Sequence, residues 1–320
     1  MLHINEFLVN KRIDKKINQK RSYNDYLFHP QSKTDLVDCI AMHFGDANYN
    51  LNDIDVSAIT DMCWLFNLSA KKANIDPLKI EWIDMDEWDV SNVTTFYHMF
   101  SECKNFNANL GSWNISNCEN MSAMFYSCNS FTGNGLKYWD VSNVKLMGFM
   151  FAGCNKFNED ISDWNVSNVE NMQFMFFDCE LFNRPIGKWD VSNVTMMNDM
   201  MASCNSFNKN LNDWNTSKVV NMEDMFYRCS SYNMPMDRWD VSNVKNMNNM
   251  FGKCTTFNQN LGNWNLSSIC NMTAMFEGCT VFEGNGLENW KPYIESNKKL
   301  HKISIFKDCP NMNKKLSWNV

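Results

Sequence analysis

Trp189-Asp190-Val191-Ser192-Asn193-Val194, followed by Met197, Met200-Met201, Cys204, Phe207-Asn208 and Leu211, is the stretch whose reading decides the fold. It recurs at once as Trp214, Val219, Met222, Met225-Phe226, Cys229 and Asn233. Working outward, tryptophan returns at positions 88, 113, 139, 164, 189, 214, 239, 264 and 290, and cysteine at 103, 128, 154, 179, 204, 229, 254 and 279, both in steps of 25 or 26 residues. A fixed period of this size marks an array of stacked repeats that share one elongated core. The 320 residues therefore need not be divided into two globular domains.

Within one period, the segment L-x-x-W-[DN]-V-S has the short apolar spacing and β-branched residues of a strand. M-x-x-M-F-x-x-C places apolar residues at i, i+3, i+4 and i+7, one face of a short helix. The expected fold is an α/β repeat solenoid: a leucine-rich-repeat-like, right-handed coil of 25–26-residue units, each a short strand plus a short helix. Asn after the second phenylalanine (Asn107, Asn158, Asn183, Asn208, Asn233, Asn258) is expected to bond turn backbone in an internal ladder. The two 26-residue units lack it and carry Gly133-Asn134-Gly135-Leu136 and Gly284-Asn285-Gly286-Leu287 instead, so the extra residue is expected in a turn with positive φ.

The array is bracketed. Residues 1–29 read as a flexible basic tail or docking segment. Residues 30–53 form an N-terminal helical cap, with Ser32 and Asp35 starting a helix, Leu36, Ile40 and Phe44 on one face and Gly45 stopping it. The repeat array spans 54–289: a degenerate first coil with Ser69 at the cysteine slot and an insertion at 70–87, then eight regular coils. Residues 290–320, with Phe306, Cys309, Met312, Leu316 and Trp318, make a C-terminal capping coil, as an open-ended array requires.

Charge narrows the partners. Residues 46–290 carry 29 acidic and 15 basic side chains, against 36 and 29 in the whole chain, so the array is acidic and the ends are basic. Nucleic acid along the array is excluded, because phosphate contacts need Lys and Arg. No stretch is apolar and long enough to span a membrane. The opening residues show no signal-peptide pattern and no lipidation cysteine, so the expectation is a cytoplasmic, virion-associated or non-classically exported chain.

Chemistry-bearing residues are explained by the period. Eight cysteines in one slot, without a C-x-x-C pair or a partnered histidine, read as an inward ladder of reduced thiols. The repeated serine (Ser116, Ser167, Ser217 and their equivalents) has no base beside it and reads as a backbone hydrogen-bonding residue. No metal site, cofactor site or catalytic set is expected, and the chain is read as no enzyme.

A two-coil rhythm runs through the repeat. The residue after tryptophan alternates Asp89, Asn114, Asp140, Asn165, Asp190, Asn215, Asp240, Asn265, which separates stacked carboxylates. The slot after M-F alternates Tyr126, Ala152, Phe177, Ala202, Tyr227, Gly252. Either large rings lean over small neighbours, or they form an exposed aromatic stripe with Phe149 and Phe174. The candidate partner-binding residues are accordingly Tyr126, Phe149, Phe174, Phe177 and Tyr227.

The wording W-D-V-S-N-V-x-x-M-x-x-M-F-x-x-C-x-x-F-N-x-x-[LI], closest at Trp189–Val194 and Trp239–Val244, resembles the BspA-like leucine-rich-repeat family, in the variant described as mycoplasma-type surface-protein repeats of unknown function. The resemblance covers about residues 46–320 and implies a structural, protein-binding surface protein. The expected function is a non-enzymatic solenoid that binds a protein or glycan through its variable surface, adhesin-like or virion-associated. The alternative is an intracellular scaffold or delivered effector that docks through its N-terminal tail.

Overall fold

The computed structural model describes residues 25–44, 50–79 and 84–312. The tail before residue 25, the expected helix stop at Gly45, insertion residues 80–83, and Leu316 and Trp318 lie outside them. Among the described residues the helices are α1 (Lys33–His43), α2 (Leu65–Ala73) and α3 (Lys291–Ser296), with short 3-10 segments at Leu51–Asp53, Pro77–Lys79, Leu136–Tyr138 and Leu287–Trp290.

The expected strand-plus-helix unit does not form. The regular coils contain no sheet and, the 3-10 segments aside, no helix. Extended pairing is reduced to one parallel bridge between neighbouring coils, running from Asp61 through Thr95, Asn120, Leu146, Asn171, Met196, Asn221, Asn246 and Asn271 to His301. The leucine-rich-repeat reading is corrected accordingly. Each coil is instead a succession of tight turns.

Residues 197–207 show why. Met200, Ala202, Cys204 and Phe207 donate their N–H groups three residues back, to Met197, Asp199, Met201 and Cys204, at 3.0–3.2 Å. The N–H groups between them leave the coil: Met197, Asp199, Met201 and Ser203 donate to Asn221, Glu223, Met225 and Tyr227 of the next coil, at 2.7–3.2 Å. Asp199 (φ 55°) and Ser203 (φ 62°) are left-handed, and the same two slots are left-handed in each regular coil. An α-helix needs an unbroken run of right-handed residues, so the two slots forbid one. Successive three-residue turns also return side chains to one face, which is how the helical apolar spacing arises without a helix. Only the first coil has a helix here. There α2 continues through Leu68, and Ser69 Oγ donates to the Leu65 carbonyl.

The tryptophan segment turns for a similar reason. The Asp190 carboxylate accepts the Ser192 N–H at 3.0 Å, and Val194 N–H closes onto Val191. Asx turns of this kind compete with strand pairing. Asn at the same slot does the same, as Asn165 does for Ser167. The expected serine ladder runs through the backbone: Asn193 Nδ2 donates to the Ser167 carbonyl of the coil before, and Asn168 to that of Ser142.

The core is tied from coil to coil. Each array tryptophan is buried, and its indole N–H donates to a carbonyl one coil back, Trp189 to Ile161 at 3.1 Å and Trp239 to Leu211 at 2.8 Å. Cys204 Sγ donates to the Phe176 carbonyl at 3.0 Å, and Cys128, Cys154, Cys179, Cys229, Cys254 and Cys279 do the same to their preceding coils. Burial pushes these thiols far above their ordinary pKa. The asparagine ladder bonds each coil to the next: Asn183 Oδ1 accepts from Asn208 N–H, and Asn208 Oδ1 from Asn233 N–H. In the longer coils Gly133, Gly135, Gly284 and Gly286 have φ between 73° and 92°. A Cβ on Gly135 would lie 2.5 Å from Gly111 N, so only glycine fits there.

The ends are closed by helices. Ser32 caps α1 by accepting the Asp35 N–H, and buried Leu36, Val37 and Ile40 join the core cluster beside α2. At the other end Trp290 and Ile294 of the α3 region, with Ile305 and Cys309, complete the core.

Two stability predictions follow from this packing. Cys204→Asp buries a charge where an S–H donor is required and costs about 3–5 kcal/mol; a thermal melt matching the native chain would refute the coil register, and Met200→Asp tests the same register. Tyr232 occupies a slot otherwise held by phenylalanine, is 0% exposed, and its hydroxyl has no hydrogen-bond partner. Tyr232→Phe removes that orphan and stabilises the chain by about 1–3 kcal/mol, read as a higher denaturation midpoint.

Candidate functional site

The first left-handed slot of each coil lies beside the bridge residues and reaches the surface everywhere but at the buried Ala123. Down the stack it holds Trp64, His98, Ala123, Phe149, Phe174, Asp199, Asp224, Asn249, Ala274 and Ser304, all with φ between 51° and 60°. Asp and Asn accept this backbone conformation more readily than other side chains, and a bulky residue there carries strain of about 1–2 kcal/mol. The slot therefore divides in two. Its first half holds Trp64, His98, Phe149 and Phe174 around the small Ala123, with Trp and Phe against the local preference and His within it. Its second half holds Asp199, Asp224 and Asn249, which the preference favours, followed by Ala274 and Ser304.

Four of the five expected binding residues meet in the ring half. Tyr126 packs edge-on to Phe149 at 6.4 Å, Phe149 stacks on Phe174 at 4.4 Å and 8°, and Phe174 touches Phe177 at 5.7 Å. All four are half-buried. Tyr227 is also half-buried but stands apart, flanked by Arg228 at 5.1 Å and Lys253 at 5.6 Å from its ring. It leans over its small neighbour: a Cβ on Gly252 would meet Tyr227 Cδ2 at 3.1 Å.

The ring run extends further than the sequence suggested. Trp64 stacks on His98 at 3.9 Å and 6°, Tyr97 meets both edge-on, and His98 reaches Tyr126 at 6.4 Å. Burial lowers the His98 pKa. Trp64 and His98 share a slot with Phe149; the insertion displaces the register of the first coil and hides Trp64 from alignment by period, whereas His98 lies in step with Phe149.

Acidic residues continue the same slot. Asp199 lies one coil beyond Phe174, whose N–H donates to the Asn198 carbonyl at 2.9 Å. Asp199 accepts from Asn198 Nδ2, Asp224 from Asn249 Nδ2, and Glu223 from both Asn246 and Asn248. Burial pushes the Asp199 carboxyl up to about 6; the Asn198 hydrogen bond opposes the rise, and Asp224 and Glu223 add to it. Asp224 is raised too, again chiefly by burial. A depression of about 200 Å³ lined by Tyr227, Asn248, Asn249, Lys253, Ala274 and Glu277 flanks this run. A second of about 770 Å³ lies on the last coil between Leu300 and Lys307.

Among the described residues no three His, Cys, Asp or Glu side chains are grouped to hold a metal ion, and no helix is long and apolar enough to cross a membrane.

Comparison with known proteins gives one match. A family described as "Mycoplasma protein of unknown function, DUF285" matches three times, at residues 34–138, 132–232 and 202–319. No curated protein and no solved structure matches the chain.

The Asp199 environment gives a pH prediction. Its folded pKa lies above the unfolded value, so the stability it contributes is full below about pH 4 and is lost as pH rises through about 6. Asp199→Asn raises the melting temperature at pH 7.5 and shrinks the gain seen on acidifying from pH 7 to 5. An Asn variant with the full native gain would refute this account.

Proposed function

The chain belongs to the mycoplasma repeat family of unknown function, DUF285, and from that premise we propose that it is a non-enzymatic binding protein whose working surface is the aromatic and acidic face of the stack. The observation that carries this reading is the occupancy of the left-handed slot. Phe149 and Phe174 bear backbone strain at a half-buried surface position where Asp199, Asp224 and Asn249 fit with less. Strain held at a surface position, without a core to fill, is a signature of function. The repeated Trp, Met, Cys, Ser and Asn residues support the same reading from the other side. The Trp, Cys and Asn side chains bond to neighbouring coils, the Met side chains are buried, and the repeated Ser lends its carbonyl to the next coil.

The partner is a protein or glycan, and the acidic array speaks against nucleic acid. The BspA-like affiliation, and with it an adhesin-like or virion-associated surface role, is part of this proposal and rests on the repeat wording.

Phe149→Asn/Phe174→Asn tests it, because Asn suits the slot and the fold should keep its melting temperature within about 3 °C. In a screen of native and double-variant chains on protein and glycan arrays, the native chain is expected to bind targets that the variant loses by about tenfold or more. Targets bound equally by both would overturn the reading.

A further inference from the structure

The same face has a direction and a preferred chemistry. In the ring half, Trp64 lies flat on His98 at 3.9 Å, and Phe149 flat on Phe174 at 4.4 Å. Each stack takes up one face of each of its two rings. A sugar bound through its C–H groups stacks on a ring face, so half of these faces are lost to a glycan. Ring edges carry the positive rim of the quadrupole and pack well against aliphatic side chains or the faces of other rings. The chemistry favoured is that of apolar and aromatic side chains of a polypeptide.

Beyond Phe174 the surface changes to negative charge. Asp199, Glu223 and Asp224 are held by the carboxamides of Asn198, Asn246, Asn248 and Asn249, which orient the carboxylates without neutralising them. None of the three forms an ion pair among the described residues. At the junction, Asn198 is 9% exposed, and its Oδ1 is enclosed without a hydrogen-bond partner in the residue next to Asp199. The negative run ends at Tyr227, which is already flanked by Arg228 and Lys253.

We propose that this face binds a polypeptide segment aligned with the stack, apolar or aromatic along one half and rich in Lys or Arg along the other. This rests on reading the chain as a binding protein and names its partner. From Trp64 to Asp224 the slot crosses six coil steps, roughly 30 Å at about 4.8 Å each, the length of about nine extended residues.

The test uses the full chain and four labelled probes in fluorescence anisotropy. Two are ten-residue peptides that alternate Leu or Trp with Ser in one half and Lys with Ser in the other, in the two possible orders. A third carries Glu in place of Lys, and the fourth is cellohexaose. One Lys peptide is expected to bind at least about tenfold more tightly than the Glu peptide. Asp199→Lys/Asp224→Lys is expected to reverse that order, a gain that a misfolded variant would not show, and Phe149→Asn/Phe174→Asn to weaken both peptides. Equal binding of Lys and Glu peptides, an order unmoved by charge reversal, or binding of cellohexaose alone overturns the proposal. If no probe binds while array targets remain sensitive to Phe149→Asn/Phe174→Asn, the peptide assignment falls and the binding function stands; if those targets also fail, both fall.

Discussion

Every coil of this protein depends on carbonyl groups that belong to its neighbours. The indole N–H of Trp189 is satisfied only by Ile161, the thiol of Cys204 only by Phe176, and alternate backbone N–H groups only by the next coil. A buried donor left without a partner costs about 1–3 kcal/mol. One coil in isolation would carry several such orphans, so stability comes from neighbours and not from the repeat itself. This is why the ends differ from the middle. Helix α1 beside α2 closes one end of the core, and the Trp290–Ile294 region with the last coil closes the other.

The same constraint shapes the surface. To send alternate N–H groups outward to the next coil, the backbone must break its helical run, and two left-handed residues per coil do so. One of them places a side chain on an open face at each step but that of the buried Ala123. The stack thus works as a display in which one residue per coil is free to vary, limited only by what the left-handed backbone tolerates. Asp, Asn and His suit that backbone, and Trp64, Phe149 and Phe174 occupy it where strain is accepted.

Thiol chemistry is settled by the same hydrogen bonds. The ladder cysteines are buried, their S–H groups point at carbonyls, and burial holds them in the protonated form. A protonated buried thiol is a poor nucleophile and a poor metal ligand. Their recurrence therefore reflects size and donor capacity: serine at that slot, as at Ser69, also donates to a carbonyl.

What the sequence determined by itself is the period, the inward columns of Trp, Met, Cys and Phe, the Asn ladder, the Ser32 cap and the glycine turns of the two long coils. Each of these is written in residue type and spacing, and each follows from local chemistry. Only the tertiary structure decided the conformation between the columns. Apolar spacing of i, i+3, i+4 and i+7 is shared by a helix and by a chain of three-residue turns, and the choice was made by N–H groups that find their acceptors 24 residues away, in Met197 to Asn221 and Asp199 to Glu223. The candidate face divides along the same line. Tyr126, Phe177 and Tyr227 were legible as candidates because they alternate with small residues in the two-coil rhythm, and Phe149 and Phe174 because they lie close by in sequence. The joining of Trp64 to them was not, because the insertion displaces its register; His98, Asp199 and Asp224 fall in the column of Phe149 and Phe174 by the period, but the left-handed backbone of that column leaves no mark on residue type and appears only in the structure.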